Sequence, residues 1–396
     1  MKNFIENIIQ KHGGRHPGSD AEQNAQDDFQ QELNSFCHRV DRHFFKAPMQ
    51  SMLGSLKLFI WGFYLSMMFH FYSPALSFLV SLFNAVLFLG HFYTYRFCLD
   101  FLFNQQSSSN VIGFIEPEKQ VRSTIIISGH MDSAYEFTFW YYLKTLGMIM
   151  TLLSGLLIVL TPILFGIDLF LKNFGAYDSS IIQSIYLMFW IISPVTASMY
   201  WIHGKKAVPG AQDNLSALAV ALECAKILSG KKQGHNETKN SSILDHTRIK
   251  IVSFGSEEAG LRGSTAYIRD HWNELKSEKA VVLNLDGIMK KDELVIVTSE
   301  LATFASSPRW LIEKMEQAFS ACHQTIKKSM HIIGATDGSA FGMNGLPAIT
   351  LIGQNIHQLH KSYHTRLDTP ENIEDEALEK TKDILIAFIK AWDQEQ

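Results

Sequence analysis

An α/β domain on a mostly parallel mixed sheet with helices on both faces, interrupted by four transmembrane helices in two hairpins, is the fold class this sequence predicts. Three observations predict it. Short β-branched segments alternate with helical ones, uncharged apolar runs of bilayer length break into them, and acidic and histidine residues gather where the short segments end. The chain has 396 residues, 46% hydrophobic and only 19% charged, against about 25% charged in soluble domains. That apolar content excludes disorder. A net charge of −4 leaves no basic field, so nucleic acid is not an expected partner. Cys37, Cys98, Cys224 and Cys322 lie far apart with no Cys-x-x-Cys pair, which excludes a disulfide scaffold and a cysteine-built zinc finger.

Residues 58–95 carry no formally charged side chain, and Ser73-Pro74 divides them into halves near the ~20 residues that cross a bilayer. Only His70 and His91 in this run titrate near neutrality. Residues 145–167 and 179–202 form a second pair of uncharged runs around the short polar segment 168–178. Runs this long without an amphipathic face read as spans rather than buried core helices. Residues 1–14 are not a signal peptide, because Glu6 and Asn7 interrupt their apolar residues. The Lys and Arg residues flanking the spans, from Arg42 to Lys206, sit at the outer ends, whereas the tips hold only Lys172. This bias puts the tips outside and everything else in the cytoplasm. Three Asn-x-Ser/Thr triplets (Asn214, Asn236, Asn240) do not overturn that orientation, being frequent by chance. The expected division is therefore 1–50, 104–136 and 207–396 for the α/β domain, with hairpins at 51–103 and 137–206.

Within the α/β pieces, residues 19–36 read as a helix with Ser19 as N-cap and Glu22 completing a capping box. Residues 121–128 (VRSTIIIS) are short and β-branched, as a buried strand should be. Residues 215–228 show helical spacing and stop at Gly230. Residues 249–254, 280–285 and 347–352 are further apolar strands, 374–392 is a closing amphipathic helix, and 231–246 is a polar surface loop.

Acidic residues and histidines stand just past these strands, where open α/β sheets bind ligands. His130-Met131-Asp132 follows the first strand, and the two outer residues of an extended triplet point the same way, so Asp132 can hold the imidazole. Asp213 sits in a turn leading into a helix. Glu257 and Glu258 follow the next strand, Asp286 the one after, and Tyr363-His364-Thr365 the last. Each motif alone is weak; the ordered series is not.

These residues resemble the di-zinc aminopeptidases, the zinc exopeptidase family that includes bacterial leucyl aminopeptidases and, more distantly, glutaminyl cyclases. The matching segments are 15–19 (RHPGS), 129–133 (GHMDS), 210–216, 257–264, 284–287 and 363–372, which run through nearly the whole chain outside the spans. The resemblance implies the zinc-dependent exopeptidase fold and two zinc ions per chain. It implies that His130 and Asp286 bind one, Glu258 and His364 the other, and that Asp213 bridges both. It also implies Glu257 as general base and Asp132 as the partner behind His130. Two departures stand out. From Asp132 to Asp213 there are 81 positions, a length the second hairpin accounts for. Ala335-Thr336-Asp337-Gly338 lacks the histidine often found after that aspartate in relatives, so Asp337 is given no substrate-contact role.

The chemistry expected of such a site is peptide hydrolysis. Two zinc ions polarise the scissile carbonyl and activate a bridging water, whose proton Glu257 takes and passes to the leaving amine. Two histidine ligands disfavour magnesium and calcium. The expected function is thus a membrane-anchored zinc metallopeptidase of aminopeptidase type, with a peptide substrate and the lipid bilayer as partners. Its alternatives are a mononuclear-zinc glutaminyl cyclase-like acyl transferase, with fewer ligands, or an inactive membrane scaffold, which has no use for Glu257. The second hairpin interrupts the chain between two metal-binding segments, leaving 11 positions from Asp132 to Leu143 and 10 from His203 to Asp213. At ~3.3–3.6 Å per residue those tethers are short, and membrane-bound or apolar peptides become the expected substrates.

Overall fold

A computed structural model describes residues 1–174, 179–230, 243–355 and 360–396, which divide into two units. One unit comprises Met1–Met49, Gln105–Tyr135 and Lys206–Gln396; the other comprises Gln50–Asn104 and Glu136–Lys205. The first opens with helices α1 (Lys2–His12) and α2 (Asp20–Asn34). The second contributes α3 (Ser51–Phe69), α4 (Pro74–Phe88), α5 (Thr138–Leu143), α6 (Thr145–Phe174), α7 (Ser179–Ile192) and α8 (Pro194–Ser198). The first resumes with α9 (Ser216–Leu228), α10 (Arg262–Ser277), α11 (Arg309–Ala321), α12 (Asp337–Met343) and α13 (Asp375–Gln394).

The sheet of the first unit contains β1 (Arg39–Ala47), β2 (Gln106–Ile115), β3 (Ser123–His130), β4 (Thr247–Phe254), β5 (Ala280–Asp286), β6 (Val295–Glu300), β7 (Ala305–Ser306), β8 (Lys328–His331) and β9 (Ala348–Ile352). Their spatial order is β1-β2-β4-β3-β5-β9-β6-β7, with β8 beside β6. Strands β4, β3, β5 and β9 run parallel at the centre, and β1, β2 and β6 pair antiparallel around them. The centre is apolar on both faces because helices cover both. Ile127 and Ile251, paired in register, are fully buried, as is Leu218 of α9; each such side chain contributes roughly 1.5–3 kcal/mol by leaving water.

Two strand ends differ from the sequence reading. β3 and β5 continue through His130 and Asp286, so both residues close their strands instead of following them. The parallel neighbours supply hydrogen bonds that prolong each ladder: Met131 N donates to the Phe254 carbonyl at 2.9 Å, one step past the β3–β4 pairing. The antiparallel strands β1 and β2 have burial patterns that alternate poorly or not at all, so their sequences carry no strand periodicity. Ser19 caps α2 as expected, accepting from Glu22 N at 3.2 Å, but the Glu22 carboxylate does not return to Ser19 N. It accepts from Gly18 N instead and reaches away from the helix. Most of the expected loop 231–246, including the triplets at Asn236 and Asn240, lies outside the described residues. Asn214 is buried, its side chain bonded to the Leu285 carbonyl and Gly287 N.

The second unit is patterned inside out. Among the described residues, four helices are long and apolar enough to cross a membrane: Ser51–Phe69, Pro74–Tyr93, Thr145–Phe174 and Ser180–Trp201. Several of their polar side chains turn inward. Asn84 donates to the Phe59 carbonyl (3.0 Å), Ser77 to the Ser66 carbonyl (2.7 Å) and Tyr186 to the Met67 carbonyl (2.7 Å). Buried Asp168 pairs with Lys172 at 2.8 Å. Large apolar side chains point outward on all four helices, Trp61 at 66% and Ile191 at 70% exposure among them. A water-facing helix shows the reverse pattern.

Candidate metal centre

The site lies in the first unit, at the ends of β3, β4 and β5. Asp213 stands where the chain leaves helical backbone (φ −116°, ψ 88°) immediately before α9. That turn is pinned from three sides. The buried Asp368 carboxylate accepts from Gln212 N (2.7 Å) and Asp213 N (3.2 Å). Arg15, fully buried, donates to the carbonyls of Met131, Gly13, Pro209 and Gly210 at 2.8–3.1 Å. Gly210 has φ +64°, and a Cβ there would stand 2.5 Å from Ser133 Cβ, so no larger residue fits. Ser216 Oγ accepts from Ile288 N (3.0 Å), tying the turn to the end of β5 that carries Asp286.

The turn after β4 carries Glu257 and Glu258. Ser256 before them and Leu261 after them adopt left-handed backbone, uncommon for residues with a side chain. Asp132 holds this turn: its Oδ1 accepts from Glu257 N (3.0 Å) and its Oδ2 from Glu258 N (2.9 Å). The imidazole of His130 is held by the main chain of Asp132, with Nδ1 donating to the carbonyl oxygen at 3.1 Å, while Asp132 Oδ1 stands 3.5 Å off. That bond leaves Nε2 of His130 facing the site. His364, also with positive φ, stacks against Tyr363 at 4.0 Å between ring centres.

These elements bring all seven sequence-derived residues together. His130, Glu257 and Asp286 offer ligand atoms within 4.8 Å of one another, and so do Asp213, Glu258 and His364. The Asp213 carboxylate spans the two groups, Oδ1 lying 3.1 Å from His130 Nε2 and Oδ2 3.5 Å from His364 Nε2. His364 Nε2 is 3.3 Å from Glu258 Oε1, and Glu257 Oε2 is 3.7 Å from His130 Nε2.

The electrostatics fit a cation site. Burial, then the neighbouring carboxylates, raise Glu257, Glu258 and Asp286 above the ordinary carboxylate range. Asp213 is the exception: burial opposes its charge, but hydrogen bonds from both imidazoles hold it low. Burial also opposes the imidazolium of His130, yet Glu257, Asp132 and Asp213 raise it well above 6.5; Glu258 and Asp213 likewise bring His364 to about 10. A buried, mutually repelling carboxylate set calls for cations of higher charge than two imidazoles supply. Two histidines among the oxygen donors favour zinc over magnesium or calcium.

Three residues near the site carried only faint sequence signals. Arg15 and Asp368 lie inside matching segments without a role attached, and Glu22 was read only as a helix cap. The missing histidine has a steric reason: a Cβ at Gly338 would lie 2.4 Å from Thr350 Oγ1 and 3.1 Å from Asn284 Cβ, side chains already buried there.

Residues 195–389, which include every one of these ligand candidates except His130, match the model of Peptidase family M28. That match spans just under half of the chain. Aminopeptidase YwaD of Bacillus subtilis (strain 168) is 28% identical over 190 residues, 46% of this chain and 37% of that relative's length. Among solved structures, BSAP, a zinc aminopeptidase from Bacillus subtilis, covers 99% of this chain and 94% of its own at TM-score 0.58 and 16% identity. Glutaminyl cyclase of Porphyromonas gingivalis covers 99% and 96% at TM-score 0.54 and 15% identity. At these identities the two structures show that this chain shares their α/β fold.

Proposed function

We propose that this chain is a membrane-anchored two-zinc aminopeptidase of the M28 type. The observation that carries the proposal is the Asp213 carboxylate lying between two imidazoles, one in each of two ligand groups. In this reading His130 and Asp286 hold one zinc, Glu258 and His364 the other, and Asp213 both. Bound zinc supplies Lewis acidity toward the scissile carbonyl and lowers the pKa of an attacking water. Glu257 takes a proton from that water and delivers it to the leaving nitrogen. Asp286 with His130 and Asp213 already supplies three donors to the first group, which leaves Glu257 for this transfer. Cations at the two groups favour its ionised form, reversing the rise that burial and its neighbours impose. The curated relative's name, an aminopeptidase, and the match to Peptidase family M28 support the reaction class. The inside-out patterning of the second unit supports membrane integration, and the Lys and Arg bias supports an α/β unit facing the cytoplasm.

Purified full-length protein in detergent micelles should release the N-terminal residue from unblocked peptides and leave their N-acetylated forms intact. Release of cyclised N-terminal product without hydrolysis would replace the peptidase reading with the acyl-transferase one. No turnover of either kind in zinc-loaded protein would leave a scaffold.

A further inference from the structure

The first turn of α2 carries a carboxylate that a helix cap does not need. Glu22 is fully buried, and a buried carboxylate persists only when donors surround it. Oε2 accepts from Gly18 N (2.8 Å) and Ser108 Oγ (3.0 Å); Oε1 accepts from Ser256 N (2.5 Å) and Ser256 Oγ (2.9 Å). In a capping box Glu22 would return to Ser19 N, but that amide donates to the His16 carbonyl. The carboxylate instead crosses from α2 to the turn after β4.

We propose that Glu22 is a positioning residue of this site: through Ser256 it fixes the turn that presents Glu257 to substrate and Glu258 to metal. Three consecutive amides, those of Ser256, Glu257 and Glu258, are each taken by a buried carboxylate, the first by Glu22 and the other two by Asp132. The two carboxylates come from segments more than 100 residues apart in sequence and grip the turn from either end. Ser256 needs that grip, because its left-handed backbone (φ 56°, ψ 40°) is one a serine rarely keeps unaided. Asp132 alone fixes the amides of the two glutamates but not the residue that sets their direction. The inference rests on the hydrolase reading only for its kinetic consequence; the geometry it describes does not.

The test compares Glu22→Gln, Ser256→Gly and the double variant in the full-length chain. Glutamine keeps the size of Glu22, but each carboxylate oxygen faces a backbone N–H, so either amide orientation sets NH2 against a donor. Glycine at 256 removes the hydroxyl and keeps the positive φ at ease. Glu22→Gln should retain bound zinc and wild-type KM while kcat falls about tenfold or more. The double variant should lose less than the product of the two single losses, because both act on one contact. Amide hydrogen exchange should rise across residues 255–261 and stay unchanged in the middle of α2. Unchanged kcat and exchange, losses that multiply, or loosening of the whole of α2 with zinc lost would each overturn the proposal. If wild type hydrolyses nothing, the peptidase reading falls, and the exchange pattern alone decides whether Glu22 holds the turn.

Discussion

Glu257 and Glu258 are sequence neighbours to which the proposed function gives different tasks, and the backbone turn is what separates them. Their amides bond to opposite oxygens of Asp132, and their carboxylates enter different ligand groups. Glu257→Gln should therefore keep its metal while turnover falls by a factor on the order of 10²–10⁴. Glu258→Gln should lose zinc as well as turnover. Equal metal loss in both variants, measured by elemental analysis, would contradict the assigned roles. The imidazoles make a second prediction. In metal-free protein His130 and His364 are held protonated above their usual range by the carboxylates around them. A protonated imidazole cannot ligate, so zinc must displace those protons, and affinity must fall as pH falls. Calorimetry in buffers of different ionisation enthalpy should detect proton release on zinc binding at pH 7. Binding without release would mean that the histidines are already neutral.

At the scale of elements, the central strands were legible because burial on both faces leaves unbroken apolar runs such as residues 125–127, and because α9 shows its helical spacing directly. The turns that carry the candidate ligands were legible because each follows such a run. The antiparallel strands were not: β2 opens with Gln106, three serines and Asn110, of which Ser108, Ser109 and Asn110 become buried only through partners distant in sequence. Glu22 and Arg15 share that fate, since Ser256, the partner of Glu22 in the turn after β4, and Met131, a partner of Arg15, lie more than 100 residues away. Arg15 joins the start of the chain, the end of β3 and the turn before α9 through bonds to four carbonyls. Burial lowers it to about 10, which leaves it charged at neutral pH. Arg15→Met removes those donors and leaves buried acceptors unpaired, so denaturant unfolding should show a loss of about 3–5 kcal/mol. A loss below about 1 kcal/mol would mean that the three segments hold together without it.

For the whole molecule, two features recorded in one chain have to be reconciled: an α/β unit with a buried polar site, and helices that turn polar groups inward and apolar ones outward. The chain enters the helical unit twice from within the α/β unit, so the two units cannot be separated by a single cut. Single-cysteine labelling in intact cells should reach position 172, beside the tip of the second hairpin, from outside, and position 243 only after permeabilisation. The opposite pattern would reverse the orientation that the Lys and Arg bias predicts. The two-metal site itself is tested most directly by counting zinc in full-length protein of known specific activity, before and after Asp213→Ala. The account predicts two zinc ions per chain in the active wild type and none in Asp213→Ala, because one carboxylate serves both. A fully active wild type with one zinc, or an Asp213→Ala variant that keeps one, would contradict it.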